Sequence, residues 1–182
     1  MKTHREEVIS LDAVMDPDSR RDQTIERLIL EYQTPLLRLC WLQLQDRSLA
    51  EDAVQETFLK AYRGFDRFRE ECGEKTWLFR IAVNTCRDFR RGGWFRHTDR
   101  KVTPEMLPVG TAEPEPGDYD LSLAVMKLPP KLREAILLYY YQDMGTEEIA
   151  GALGISQPSV SYRLKRGREK LRKLLEGRDQ DA

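Results

Sequence analysis

Residues 144–175 read MGTEEIAGALGISQPSVSYRLKRGREKLRKLL, two short helical segments around a tight turn, the second far more basic than the first. Ile149 and Leu153 lie one helical turn apart, as do Val160 and Leu164, so each segment carries an apolar stripe. Ala150 is small where two crossing helices must approach closely. Gly154 follows the first stripe, where a left-handed cap costs glycine little. Ser156 is placed to cap the second helix, and Pro158 is tolerated within its first turn. This is the layout of a helix-turn-helix that reads DNA.

A 3.6-residue wheel sorts the second helix by job. Val160, Leu164, Gly167, Leu171 and Leu174 fall on one side and are expected in the core. Ser159, Tyr162, Lys165, Arg166 and Lys173 point away from it, with Arg163 and Arg168 on the flanks. Arginine can grip guanine edges with two hydrogen bonds, while lysine and the flanking arginines neutralise phosphates. The plainer reading is a solvated basic helix that closes a small bundle. The turn in front of it favours DNA.

Bulk charge is silent on nucleic acid, because 30 basic and 31 acidic residues in 182 leave a net charge of −1. The distribution is informative. Arg80, Arg87, Arg90, Arg91, Arg96, Arg100 and Lys101 form one positive block, and Arg163 to Arg178 a second. No Lys or Arg occurs from Val102 to Met126, whereas Glu105, Glu113, Glu115, Asp118 and Asp120 do. Two basic surfaces around an acidic spacer point to two DNA-contacting modules.

Cys40, Cys72 and Cys86 are odd in number and form no CxxC pair, which supports neither a disulfide framework nor a zinc site. Cys40 and Cys86 sit among apolar helical positions, Cys72 in a polar loop, and a reducing cytoplasm fits. No apolar run is long enough for a membrane span and no signal-peptide core is present, so the chain is not expected to be a membrane protein. Metal, cofactor and catalytic residues are expected to be none. His4 and His97 are the only histidines, and no nucleophile elbow or phosphate loop occurs.

The pattern is helical almost throughout, an all-α fold of two small helical domains joined by a flexible acidic linker. Residues 1–23 read as a flexible arm and 24–96 as a first domain, 97–120 as the Pro/Gly linker, 121–176 as the helix-turn-helix domain, and 177–182 as a tail. Thr24 to Gln45 fits helices with Pro35 at a start or kink. Ser48 and Glu51 form a capping-box signature for the next helix, to about Arg63. Thr76 to Arg91 is a further helix that Gly92-Gly93 ends, and Pro129-Pro130 opens another.

Two helix faces in the first domain carry chemistry. Ala50, Ala53, Val54, Thr57, Phe58 and Ala61 form a buried stripe, opposite Asp52, Gln55, Glu56, Leu59 and Arg63. An acidic and amide face with a central leucine suits docking of another protein's helix, or is an ordinary solvated face with one stray apolar residue. Both readings stand on the residues alone. On the Thr76–Arg91 helix, Leu78, Ile81, Ala82, Thr85 and Phe89 face inward, and Arg80, Asn84, Arg87 and Arg91 share the outer face. Trp77 and Phe79 flank the stripe, either to stack on unpaired bases or to fill the core.

The segments AEDAVQETFLKAYRGFDRFRE, TWLFRIAVNTCRDFRR and LPPKLREAILLYYYQDMGTEEIAGALGISQPSVSYRLKRGREKL, in that order, resemble a bacterial extracytoplasmic-function (ECF) sigma factor of the sigma-70 family. The resemblance covers about residues 24–96 and 121–176. It implies a sigma-2 bundle and a sigma-4 helix-turn-helix, and a cytoplasmic protein that binds core RNA polymerase through the β′ clamp helices and the β subunit. Asp52, Gln55, Glu56 and Leu59 then correspond to the β′ docking segment. Trp77, Arg80, Asn84, Arg87 and Arg91 correspond to the part that opens and reads the −10 element, with a base-capture loop within Phe68 to Thr76. Ser159, Tyr162, Arg163, Lys165, Arg166 and Arg168 lie in the helix that reads the −35 element of promoter DNA. An anti-sigma factor is a further partner that many relatives have, and Tyr139 to Tyr141 can serve it or the core, with core packing favoured for at least two of the three. The rival functions are a stand-alone DNA-binding regulator and, more remotely, a nucleic-acid-modifying enzyme.

Overall fold

The computed structural model describes residues 17–68, 72–92 and 118–176, and these are helical with no strand among them. The first domain contains α1 (Pro17–Leu44), α2 (Arg47–Gly64), a short 3-10 turn (Phe65–Arg67) and α3 (Glu74–Arg91). The second contains α4 (Asp118–Met126), α5 (Pro130–Ile136) continuing into a wide π turn (Leu137–Tyr141), α6 (Thr146–Leu153) and α7 (Gln157–Glu176). The expected arm up to residue 16, most of the acidic linker, the middle of the base-capture loop and the tail lie outside the described residues.

α1 departs from the expected pair of helices. It runs unbroken through Pro35, because Leu28, Leu36, Leu39, Cys40 and Trp41 bury on both sides of the proline and hold the helix together. It also starts earlier than expected, at Pro17, so residues 17–23 are helical rather than part of an arm. Arg21 anchors this turn: its guanidinium sits 4.4 Å from the Tyr62 ring centroid, bonds the Tyr62 hydroxyl at 3.0 Å and bonds Asp18 at 2.8 Å. Likewise α4 takes residues 118–120 from the expected linker.

Gln45, at φ 58°, ends α1, and Asp46 then caps α2 by accepting from the Leu49 N–H at 2.9 Å. The expected capping box at Ser48 and Glu51 does not form. The left-handed residue turns the chain two positions earlier, leaving Ser48 exposed inside the helix and Glu51 paired with Arg47 at 3.0 Å. The α2 stripe buries as expected, with Leu49 added. Ala50, Ala53 and Ala61 allow α2 close approach to its neighbours, and Phe79 of α3 is fully buried against the same core.

In the second domain Val160, Leu164 and Gly167 bury the inner face of α7, with Leu171 and Leu174 partly buried below them. Gly167 is required there: a Cβ would lie 2.7 Å from Ile136 Cγ1. Gly154 adopts φ 66° at the end of α6, where L side chains are strained. Ser159 N–H donates to Ser156 Oγ at 3.4 Å at the start of α7. The tyrosines behave differently from expectation. The wide π turn rotates the chain's faces, so Tyr139 and Tyr140 are exposed and only Tyr141 packs, under the Arg38 guanidinium at 4.7 Å.

The two domains also pack on each other, α3 against α6 and α1 against α4 and α5. Gln45 Nε2 reaches Met126 O at 3.0 Å, Gln142 Nε2 reaches Pro35 O at 3.4 Å, and Lys75 Nζ donates to Gln142 O.

Candidate nucleic-acid and polymerase interfaces

The outer face of α7 is open. Ser159, Tyr162, Lys165, Arg166 and Arg168 are exposed, Tyr162 by 62%, because the opposite face is fixed in the core. Ser159 Oγ lies 2.9 Å from Ser156 Oγ, Arg166 bonds Glu169 at 2.9 Å, and Arg168 reaches Tyr140 Oη at 3.5 Å. Arg163 differs from the rest. It is half-buried at the cleft between the domains, with its Nη1 out of water and without a hydrogen-bond partner.

The docking face of α2 is as the wheel places it. Asp52 and Gln55 are exposed, Glu56 is half-exposed beside Lys60 at 3.9 Å, and Leu59 is 48% exposed. Leu59 edges a groove of about 470 Å³ between α1 and α2 that Ile25, Ile29, Val54, Phe58 and Tyr62 line. An apolar groove flanked by Gln33 and Gln55 is a shape that an amphipathic helix can fill.

α3 carries its expected cations, but the second domain lies over several of them. Arg80 Nε donates to Gly151 O at 2.9 Å, and Asn84 accepts from Arg87 Nη1 at 3.1 Å. Arg87 places its guanidinium fork on Glu134, Nε to Oε1 at 3.1 Å and Nη2 to Oε2 at 2.7 Å. Arg90 adds Nη2 to Oε1 at 2.8 Å. Arg91 stays exposed, 3.6 Å from Asp88. Trp77 is half-buried and stacked on Phe68 at 4.7 Å, whereas Phe79 is core and leaves the set of aromatics that could meet a base.

Sequence reasoning missed Glu134, Arg133, Arg90 and Gln43, because each depends on a neighbour more than 40 residues away. Glu134 is 1% exposed. Burial alone raises its carboxyl pKa, but the hydrogen bonds from Arg87 and Arg90 outweigh burial and hold it below the ordinary carboxylate range. Arg133 is also buried, donating to Leu42 O at 3.1 Å, Gln43 O at 3.2 Å and Leu128 O at 2.9 Å. Burial, aided by the nearby Arg90 charge, pushes its pKa down to about 10. The one signal in the sequence was an Arg-Glu pair in a short helix, directly before the apolar Ala135 and Ile136.

Cys40 and Cys86 are buried, and the Cys86 thiol together with desolvation raises the Cys40 thiol well above its ordinary value. Among the described residues no group of His, Cys, Asp and Glu is arranged to hold a metal, and no helix is long and apolar enough to cross a membrane.

Two helical modules, one ending in a helix-turn-helix with an open basic face, define a DNA-binding protein. Comparison with known proteins narrows the class. The model of Sigma-70 region 2 matches residues 28–96, and that of Sigma-70, region 4 matches residues 119–171. The ECF RNA polymerase sigma factor SigW of Bacillus subtilis is 32% identical, over 79% of this chain and 84% of its own. Among solved structures, CnrH in complex with the cytosolic domain of CnrY superposes with TM-score 0.69 at 26% identity, over 88% of this chain and 92% of that one. The sigma factor RpoE, in complex with the anti-sigma factor NepR from Bartonella quintana, gives 0.64 at 27%, over 85% and 98%. The chain belongs to the ECF sigma factors of the sigma-70 family. It is a non-enzymatic initiation factor that binds core RNA polymerase, recognises promoter elements and promotes transcription initiation.

Proposed function

We propose that this sigma factor divides its work among three helix faces. Asp52, Gln55, Glu56 and Leu59 on α2 dock on the β′ clamp helices. Trp77, Arg80, Asn84, Arg87 and Arg91 on α3 engage the −10 element. Ser159, Tyr162, Arg163 and Arg166 on α7 meet −35 base edges, while Lys165 and Arg168 neutralise phosphates. The observation that carries this reading is the α7 face, five polar or basic side chains exposed together while Val160, Leu164 and Gly167 fix the opposite side in the core. The α1–α2 groove beside Leu59 supports the docking assignment.

The working domains are residues 24–96 for polymerase and −10 DNA and 121–176 for −35 DNA. The site of action is the bacterial cytoplasm, where the polymerase is. An anti-sigma factor is a fitting regulator, since the similar RpoE structure is a complex with one.

The test is transcription in vitro with bacterial core polymerase on a library of promoter fragments, with and without this protein. Transcripts that depend on the protein and share both elements are the expected result. Core binding that survives removal of the Leu59 side chain's apolar contact, or transcripts indifferent to the α7 face, would overturn the residue assignments. Tight footprinting of duplex DNA without polymerase favours the stand-alone regulator instead.

A further inference from the structure

The α1–α2 groove is apolar surface that the described residues leave uncovered. Ile25, Ile29, Val54, Phe58, Leu59 and Tyr62 line it, and Leu30, the residue after Ile29, is 87% exposed. Contiguous exposed apolar side chains rimmed by polar ones mark a contact surface. The groove has a defined direction. Tyr62 sits beside Arg21 near the start of α1, while Gln33 and Gln55 stand at the opposite end.

Residues 1–16 lie outside the described residues and lead into α1 at Pro17. They read MKTHREEVISLDAVMD, and Val8, Ile9, Leu11, Ala13, Val14 and Met15 make its second half mostly apolar. Asp16 precedes a proline, which disfavours helix at Asp16, so the chain has a point at which to turn back. The groove begins close by. About 12 Å of helix separates Pro17 from Ile25. The eight residues from Val8 to Met15 can extend up to about 26 Å.

We infer that the N-terminal arm folds back at Asp16-Pro17 and lays Val8–Met15 in the α1–α2 groove, where it competes with core polymerase for Gln55 and Leu59. The competition rests on the assignment of these two residues to polymerase docking; the contact itself does not.

Charge agrees with the direction that the tether imposes. Asp12 and Asp16, nearest Pro17, come to the end where Arg20 and Arg63 are exposed. Lys2 and Arg5, farthest from Pro17, come to the end where Asp52 is exposed, with Glu6 and Glu7 between the two ends. The tether also makes a weak contact sufficient. A segment joined directly to the helix it covers acts at an effective concentration of millimolar order. A contact too weak to hold a free peptide therefore fills the groove, and still yields to polymerase.

The test uses the full chain and a Val8→Ser, Leu11→Ser double variant, which changes no charge and touches no residue of the described core. Methyl NMR of protein labelled at Ile, Leu and Val reads the contact, as cross-relaxation between Val8, Leu11 or Val14 and Ile25, Ile29 or Leu59. Circular dichroism reads the helix content, and fluorescence anisotropy reads the binding of core polymerase.

The full chain is expected to show these methyl contacts and the variant to lose them at unchanged helix content. The variant is also expected to bind core polymerase about tenfold more tightly, since apparent affinity scales with the fraction of chains whose groove is open. A full chain without the contacts overturns the inference, whatever the affinity of the variant. Contacts found only between differently labelled copies give the groove to a second copy of the chain and overturn it too. Contacts that the variant loses with no change in core affinity keep the arm in the groove but remove Gln55 and Leu59 from polymerase docking. The competition then falls with the assignment beneath it.

Discussion

Arg166 and Gly167 are neighbours on α7 with opposite duties. Arg166 is exposed and tied only to Glu169 at 2.9 Å, a surface pair that DNA can displace at little cost. Arg166→Ala is expected to weaken promoter binding by about 1–3 kcal/mol and to relax preference at one −35 position. Binding titrations on the selected promoter and on single-base variants check this; equal weakening on every sequence marks a phosphate contact. Gly167 faces inward, and a Cβ there would meet Ile136 Cγ1 at 2.7 Å and Cδ1 at 2.9 Å. Gly167→Ala is therefore expected to lower stability by about 1–3 kcal/mol, less up to about 1 kcal/mol regained from helix propensity. Urea unfolding measures the difference.

At the scale of the helix, α2 shows how far a pattern reaches. Its buried stripe was legible because every apolar contact repeats at helical spacing, but its start was not. Ser48 and Glu51 have the spacing of a capping box, while the cap in place is Asp46, two residues earlier. Asp46→Ala should cost about 1 kcal/mol and Ser48→Ala close to nothing, as urea unfolding of the two variants will report. The outer face of the same helix is the one proposed for the polymerase contact. Leu59→Asp adds a charge to the rim of the α1–α2 groove without disturbing the core, so the protein should fold normally and fail to co-purify with core enzyme. Retention of core binding would return Leu59 to the status of an ordinary exposed residue.

For the whole molecule, pH acts on the contact between domains. Glu134 in the closed fold has its pKa below the ordinary carboxylate value, because Arg87 and Arg90 outweigh its burial. A group depressed on folding contributes stability above its unfolded pKa, about 4.3 for glutamate, and that contribution disappears as pH falls through the folded value. Arg87, Arg90 and Arg133 are the charged groups around it. Closure should hold at neutral pH and weaken only below about pH 4. Small-angle scattering across that range, with Glu134→Gln as the reference that lacks this transition, reads the effect.

What the sequence determined by itself is everything governed by local spacing. The helix-turn-helix, the stripes of α2 and α7, the glycine at φ 66° and the outward cations of α3 are all written within a few turns of chain. Tertiary structure alone decided the rest. It carried α1 through Pro35, because residues from other helices hold both halves of it. The π turn sent Tyr139 and Tyr140 outward. Arg87 and Glu134, 47 residues apart, met because two domains pack, and nothing in either helix's own period records which partner lies across that gap. Hydrophobic periodicity shows which face of a helix leaves water; only packing shows what that face meets.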